Sequence, residues 1–134
     1  MSAMNAFESI KSLSFNGSNN YITYPTAGLP YGASARTVSV WINATGDAPG
    51  SFRWAISYGT ALNSQSCFVG IHLGTQLIIG GYNGSYDLTG PNISLNTWYH
   101  VVSVYDGTIL YMYINGYLYT SGARAWNTVQ GNFQ

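Results

Sequence analysis

NTWYHVVSVYDGTILYMYINGYLYTSG, residues 96–122, is the stretch from which the fold can be read. Within it HVVSVY (residues 100–105) alternates: Val101, Ser103 and Tyr105 point one way, His100, Val102 and Val104 the other. Asp106-Gly107 is a hairpin signal, because glycine accepts the positive φ that such turns need. ILYMYI (residues 109–114) is a second β-branched and aromatic run. Asn115-Gly116 is another hairpin signal, and YLYT (residues 117–120) supplies a third strand. The result is an antiparallel meander rather than a helix or a nucleotide loop.

Working outward, strands are expected at 13–15, 21–24, 37–43, 52–58, 67–73, 76–82 and 98–105. Turn signals separate them: Asn16-Gly17, Asp47 with Pro49-Gly50, Gly74, Asn83-Gly84 and Gly90-Pro91. No helix-period stretch, linker, low-complexity tract or internal repeat interrupts the series. Short strands with this punctuation argue for an all-β, two-sheet antiparallel β-sandwich.

Three pieces resemble the laminin-G-like, concanavalin A-like jelly-roll family. They are SLSFNGSNNYITYP (residues 12–25), TVSVWINAT (residues 37–45), and WYHVVSVYDG followed by LYMYINGYLYTSG. The resemblance implies a jelly roll over residues 12–134, with residues 1–11 as an N-terminal extension. It leaves function open among adhesion, glycan binding, catalysis and structural roles. The family pattern usually ends in a closing strand with an Ile-Asp-Glu-Val-like run that pairs near the opening strand. ARAWNTVQGNFQ (residues 123–134) does not contain it. AFESI (residues 6–10) loosely matches that strand, with Phe7 and Ile10 as apolar anchors. Folded back, it closes its own domain. Inserted into a neighbour, it is a donor strand, and a head-to-tail contact that does not close builds a filament. The plainer alternative is a shortened chain that tolerates the loss. Trp126 and Phe133, in the polar tail, are expected as contact residues for assembly.

Composition narrows the partners. Hydrophobic residues make up 46% of the 134 and charged residues only 6%, against ~25% in ordinary soluble domains. The cations are Lys11, Arg36, Arg53 and Arg124; the acids are Glu8, Asp47, Asp87 and Asp106, for zero net charge. Four scattered cations make no basic patch, so a nucleic-acid partner is not expected. A neutral, tyrosine-rich surface also lacks the repulsion that keeps monomers apart. Either Ser, Thr, Asn and Tyr solubilise it, or copies of the chain cover it. No stretch approaches the ~20 apolar residues of a membrane span, and MSAMNAFESIK lacks the basic start and apolar run of a signal peptide. The only cysteine, Cys67, lies in the strand-like run SCFVGIHL and is expected as a small buried hydrophobe.

Catalytic patterns are thin. Glycoside hydrolysis needs two neighbouring carboxylates, whereas Asp47, Asp87 and Asp106 each sit at a turn, where Asp caps local backbone. His72 and His100 lie in strand-like runs without zinc spacing or a nucleophile elbow. No cofactor is expected. Calcium, which the resemblance allows, would want clustered oxygen ligands that these dispersed Asp residues do not promise. A glycan site has a better candidate in GGYNGSYDLTG (residues 80–90), where Tyr82 and Tyr86 can stack on a sugar and Asn83 and Asp87 can bond its hydroxyls. The competing reading is that these tyrosines simply cover the sandwich. Trp41, Trp54 and Trp98, among strand residues, are expected in the core. Asn16, Asn43, Asn83 and Asn92 begin Asn-X-Ser/Thr sequons. The expected function is a non-catalytic subunit that self-assembles into an extracellular or virion-surface filament or layer. The alternative is a carbohydrate-binding adhesion module for a cell-surface glycan.

Overall fold

The structure, a computed structural model, describes residues 11–46 and 48–131. Phe7, Ile10 and Phe133, and with them the contacts expected of the N-terminal segment, lie outside the described residues. Among the described residues eight strands form: β1 Arg36–Asn43, β2 Ala48–Gly59, β3 Ser66–Gly74, β4 Gln76–Gly80, β5 Asp87–Asn92, β6 Trp98–Tyr105, β7 Ile109–Ile114 and β8 Tyr117–Ala123. A first sheet has the order β1-β6-β7-β8, a second β2-β3-β4-β5, and every pairing is antiparallel.

The meander forms as its turn chemistry dictates. Asn115 (φ 51°) and Gly116 (φ 86°) make the two-residue β7–β8 turn, a left-handed pair that suits Asn-Gly. Asp106 Oδ1 accepts from the backbone N–H of Thr108 (2.9 Å) and Ile109 (2.7 Å), fixing the β6–β7 turn. Those two donors hold the Asp106 carboxyl below its ordinary pKa. In β6, Val101, Ser103 and Tyr105 are buried while their neighbours are not. With Leu110 and Met112 of β7 they meet Cys67, Val69, Ile71, Leu77, Ile79 and Leu88 of the second sheet. This is the core between the layers, each full side chain contributing about 1.5–3 kcal/mol of apolar burial.

Two sequence expectations fail at the edges. Residues 13–15 and 21–24 form no strand and are exposed. Their apolar alternation finds no ladder among the described residues. Between them, Asn16 Oδ1 accepts from the N–H groups of Ser18, Asn19 and Asn20, which fixes a local turn. Conversely, Asp87–Asn92 is a strand although Gly90-Pro91 reads as a turn. It lies on the edge of its sheet, and its pairing with β4 is irregular opposite Gly90-Pro91, both settings in which a strand tolerates proline.

The tryptophans exchange their expected places. Trp41 and Trp98, expected inside, are 62% and 47% exposed, because the strand alternation turns Val40 and Ile42 inward instead. Trp126, expected as a contact residue, is 2% exposed. The tail after β8 folds across one end of the sandwich and is strapped there. Asn127 N–H donates to Ser64 O and Val129 N–H to Gln65 O, and Thr128 exchanges backbone bonds with Gly32. Trp126 Nε1 donates to Tyr86 O (2.8 Å), and its ring lies 4.7 Å from that of Tyr105.

Arg36 holds this end together. Its buried guanidinium donates to Ser34 O (2.9 Å), Gly32 O (2.7 Å), Tyr58 Oη (3.1 Å) and Thr128 Oγ1 (2.9 Å), all neutral acceptors. It also lies 5.8 Å from the Tyr105 ring and 5.7 Å from that of Trp126. Beside it, burial pushes the Tyr58 hydroxyl far up and the Cys67 thiol to about 11. Cys67 is therefore an inert interior thiol, as its strand-like run implies.

Candidate functional site

A register shift in β2 creates the site. Trp54 pairs with Gly70, but Ile56 pairs with Val69, so one extra residue is accommodated on β2. This bulge changes which face the strand presents. Phe52 and Trp54 join the outer face of the second sheet, while Ile56 and Tyr58 turn to the core. On β3 the outward residues are Phe68 and His72. The Phe52 ring stacks on Trp54 at 4.9 Å and on His72 at 5.2 Å, and Trp54 meets Phe68 at 4.2 Å. An aromatic floor thus crosses the sheet, with Phe68 and Ile78 buried beneath it.

Walls rise at the β5 side of this floor. Tyr82, Asn83, Gly84, Asp87 and Thr89 stand there, with Asn63, with Thr120 of β8 and with Arg124 just after it, enclosing a groove of about 660 Å³. Asp87 shapes the wall. Its Oδ1 accepts from Gly81 N–H (3.0 Å) and Tyr82 N–H (3.1 Å). The carboxylate crosses directly over Gly80, where any Cβ would overlap Oδ1. Arg124 Nε braces the same residue by donating to Asp87 O (2.9 Å). Burial pushes the Asp87 carboxyl up to about 6, against the lowering effect of the two N–H donors and Arg124. Asn83 Nδ2 donates to Asn63 Oδ1 (3.2 Å) and so ties the wall to the β2–β3 loop. Tyr82 and Asn83 adopt left-handed φ values of 75° and 86°. A tyrosine there is strained, and such strain gathers where side chains must be aimed.

One polar atom on the groove is left over. His72 is only 9% exposed, and its Nε2 has no hydrogen-bond partner. The atom is itself buried and the Phe52 ring stacks against the imidazole, so the groove meets His72 through its ring rather than through Nε2.

Of the residues expected at a glycan site, the groove gathers Tyr82, Asn83 and Asp87 but not Tyr86. Tyr86 packs against the core, and its carbonyl is taken by Trp126. Of the sequons, Asn83 stands at the groove itself, Asn16 and Asn92 are exposed, and Asn43 is half-buried with an unpartnered Oδ1. The floor of Phe52, Trp54, Phe68 and His72, and Arg124 in the wall, escaped the sequence reading. One signal was present: in β3 both alternating sets are apolar at their centre, Cys67, Val69 and Ile71 against Phe68, so the outward face also packs.

Chemically, the groove offers ring faces for stacking, one carboxylate, one guanidinium and several amide and hydroxyl groups. Among the described residues no three His, Cys, Asp or Glu side chains gather in one place. Nor is any helix there long and apolar enough to cross a membrane.

No curated protein and no solved structure matches this chain. A laminin-G-like family model described as the concanavalin A-like lectin/glucanases superfamily matches residues 16–134. That match spans all eight strands of the two antiparallel sheets, and the chain belongs to the concanavalin A-like lectin/glucanases superfamily.

Proposed function

We propose that the protein is a non-catalytic glycan-binding module of adhesion type, taking a saccharide into the groove on the second sheet. The half-exposed Phe52 ring, stacked on Trp54 beside the wall of Tyr82, Asn83 and Asp87, carries this reading. A sugar presents an apolar ring face and a rim of hydroxyls. Phe52 receives the face, while Asn83 and Asp87 bond the rim. No metal takes part in this reading. A glycan array probed with the full-length chain, followed by calorimetric titration, tests it. Phe52→Ala should weaken binding about tenfold, or ~1.4 kcal/mol, with unchanged melting, since Phe52 is half exposed. No ligand across a broad array, or full affinity in Phe52→Ala, overturns it.

A second reading, self-assembly into an extracellular or virion-surface layer or filament, draws support from a different observation. The edges of β1 and β2 carry no partner strand among the described residues, and the apolar residues Leu13, Phe15, Tyr21 and Ile22 stand exposed outside any sheet. Open edges and unpaired apolar segments are the raw material of strand addition.

A further inference from the structure

We propose that the saccharide taken by the groove is an acidic one, whose carboxylate pairs with Arg124 in the groove wall. The inference rests on the glycan-binding reading and deepens it by naming the class of sugar.

Arg124 is a fixed part of the wall rather than a loose surface cation. It directly follows β8, where its backbone N–H donates to Thr108 O (2.8 Å). Its half-buried side chain reaches from the first sheet to the second. Nε donates to Asp87 O of β5 (2.9 Å) and Nη1 to Ala123 O (2.8 Å). The guanidinium passes close over Gly122, where a Cβ would stand 2.9 Å from Nη1. These contacts set the plane of the fork before any ligand arrives, so little side-chain entropy remains to be lost on binding.

What the fork lacks is a counter-ion. Both of its acceptors are neutral backbone carbonyls, and no carboxylate pairs with it among the described residues. A guanidinium has five N–H donors. Five less the two taken leaves three without a partner among the described residues. Arg36 also meets only neutral acceptors, but it is buried and makes four bonds to them. In Arg124, Nε and Nη2 share one edge of the plane, so the free Nη2 lies on the Asp87 side, where the groove wall stands. The acid of the groove is engaged elsewhere. Asp87 Oδ1 accepts from Gly81 and Tyr82 N–H and sits over Gly80. Of the groups acting on that carboxyl, Arg124 has the smallest effect.

An unpaired cation in the wall selects among sugars. A ligand filling the groove draws water off the guanidinium. A neutral sugar gives back nothing ionic for that lost hydration. A carboxylate gives back two parallel N–H···O bonds, charge-assisted and roughly twice as strong as neutral ones. Its planar edge also matches the planar fork. An acidic sugar has both parts the groove asks for: an apolar ring face for Phe52 and a carboxylate at its rim for the wall.

The test uses the full chain and matched pairs of oligosaccharides on one array. Each hexose stands beside the uronic acid that differs from it only in the carboxylate, glucose with glucuronate and galactose with galacturonate. Calorimetric titration of the pairs that bind then gives the ratio of affinities. The uronic acid should bind about tenfold more tightly or better, as a charge-assisted pair implies. Raising salt from about 0.05 to 0.5 M should weaken the acidic member and spare the neutral one. Arg124→Gln should abolish the preference. If that variant does not fold, Arg124→Lys, which keeps the charge without the fork, should lower it, and the salt series on the wild type stands by itself. No sugar of either kind bound overturns this inference together with the glycan-binding reading. Neutral sugars bound as tightly as their uronic acids overturn only this inference. So does an acidic preference that survives Arg124→Gln or ignores salt.

Discussion

Trp126→Ala should be among the most damaging single changes in this chain, although the residue lies beyond the last strand. The side chain is 2% exposed. It packs at 4.7 Å on Tyr105, lies 5.7 Å from the Arg36 guanidinium, and donates from Nε1 to Tyr86 O. Truncating a buried tryptophan to alanine costs about 3–5 kcal/mol, and here the carbonyl of Tyr86 also loses one of its two donors, keeping only Gly81 N–H. Against a whole-domain stability of about 5–15 kcal/mol, the variant keeps a small margin or none. Trp126→Phe separates the contributions: it keeps most of the ring packing and loses the N–H, a cost of about 0.5–1.5 kcal/mol for one hydrogen bond, since Gly81 N–H still donates to Tyr86 O. The comparison is Trp98→Ala at a half-exposed position, which should stay within about 1 kcal/mol of wild type. Urea unfolding followed by far-ultraviolet circular dichroism, in dilute protein, reads all three without depending on tryptophan fluorescence. The reasoning fails if Trp126→Ala loses less than ~1 kcal/mol, or if Trp98→Ala loses as much as it does.

Arg36→Met should destabilise by about 2–4 kcal/mol, because it strips donors from four acceptors, offset in part by removing a desolvated charge. Arg36→Lys should recover little of this, since an ammonium cannot span the same fork; a Lys variant as stable as wild type in urea would refute the account. Asp87 makes stability depend on pH. Its folded pKa of about 6 lies above the usual 3.8, so the native state binds the proton more tightly than the unfolded chain. Stability therefore falls as pH rises from about 4 to 6, and the penalty is fully present above 6. In Asp87→Asn the side-chain amide oxygen can still accept from Gly81 and Tyr82 N–H, so this variant should lose that slope. It should exceed wild type by roughly 1 kcal/mol at neutral pH, a figure discounted for the partial exposure of the carboxyl. Thermal melts at pH 4 and pH 7 check this, and parallel profiles for the two proteins would count against it.

How much of this was legible in the sequence depends on how local each feature is. The meander is local: alternation and Asn-Gly chemistry fix β6, β7 and β8 with no information from elsewhere. The sequence also shows Cys67 as interior and Asp106 as a turn cap, for similarly local reasons. The tail was misread because its polarity hides a tertiary event. Trp126 is buried only after Thr128 and Val129 dock on Gly32 and Gln65. Strand β5 was hidden by Gly90-Pro91, which means turn in isolation and edge strand in context. The groove was half legible. Tyr82, Asn83 and Asp87 lie in one short run, but the bulge that sends Phe52 and Trp54 outward leaves no mark in composition. Tyr86 turned away because Asp87 captures the N–H groups of Gly81 and Tyr82, and the short 3₁₀ turn Gly84–Tyr86 then carries the tyrosine inward.

The two outer faces of this sandwich share a composition but differ in shape. Both are aromatic and nearly uncharged. On the second sheet, however, the loop after β4 and the end of β8 rise above the floor and enclose it. Those walls narrow the floor to a groove of about 660 Å³. On the first sheet the β7–β8 turn is only two residues, Asn115-Gly116, and the β6–β7 turn is nearly as tight. Turns that short cannot form walls. The same tight turns that make the meander readable in the sequence thus deny the first sheet a pocket, and the bulge in β2 that composition does not reveal helps give the second sheet one.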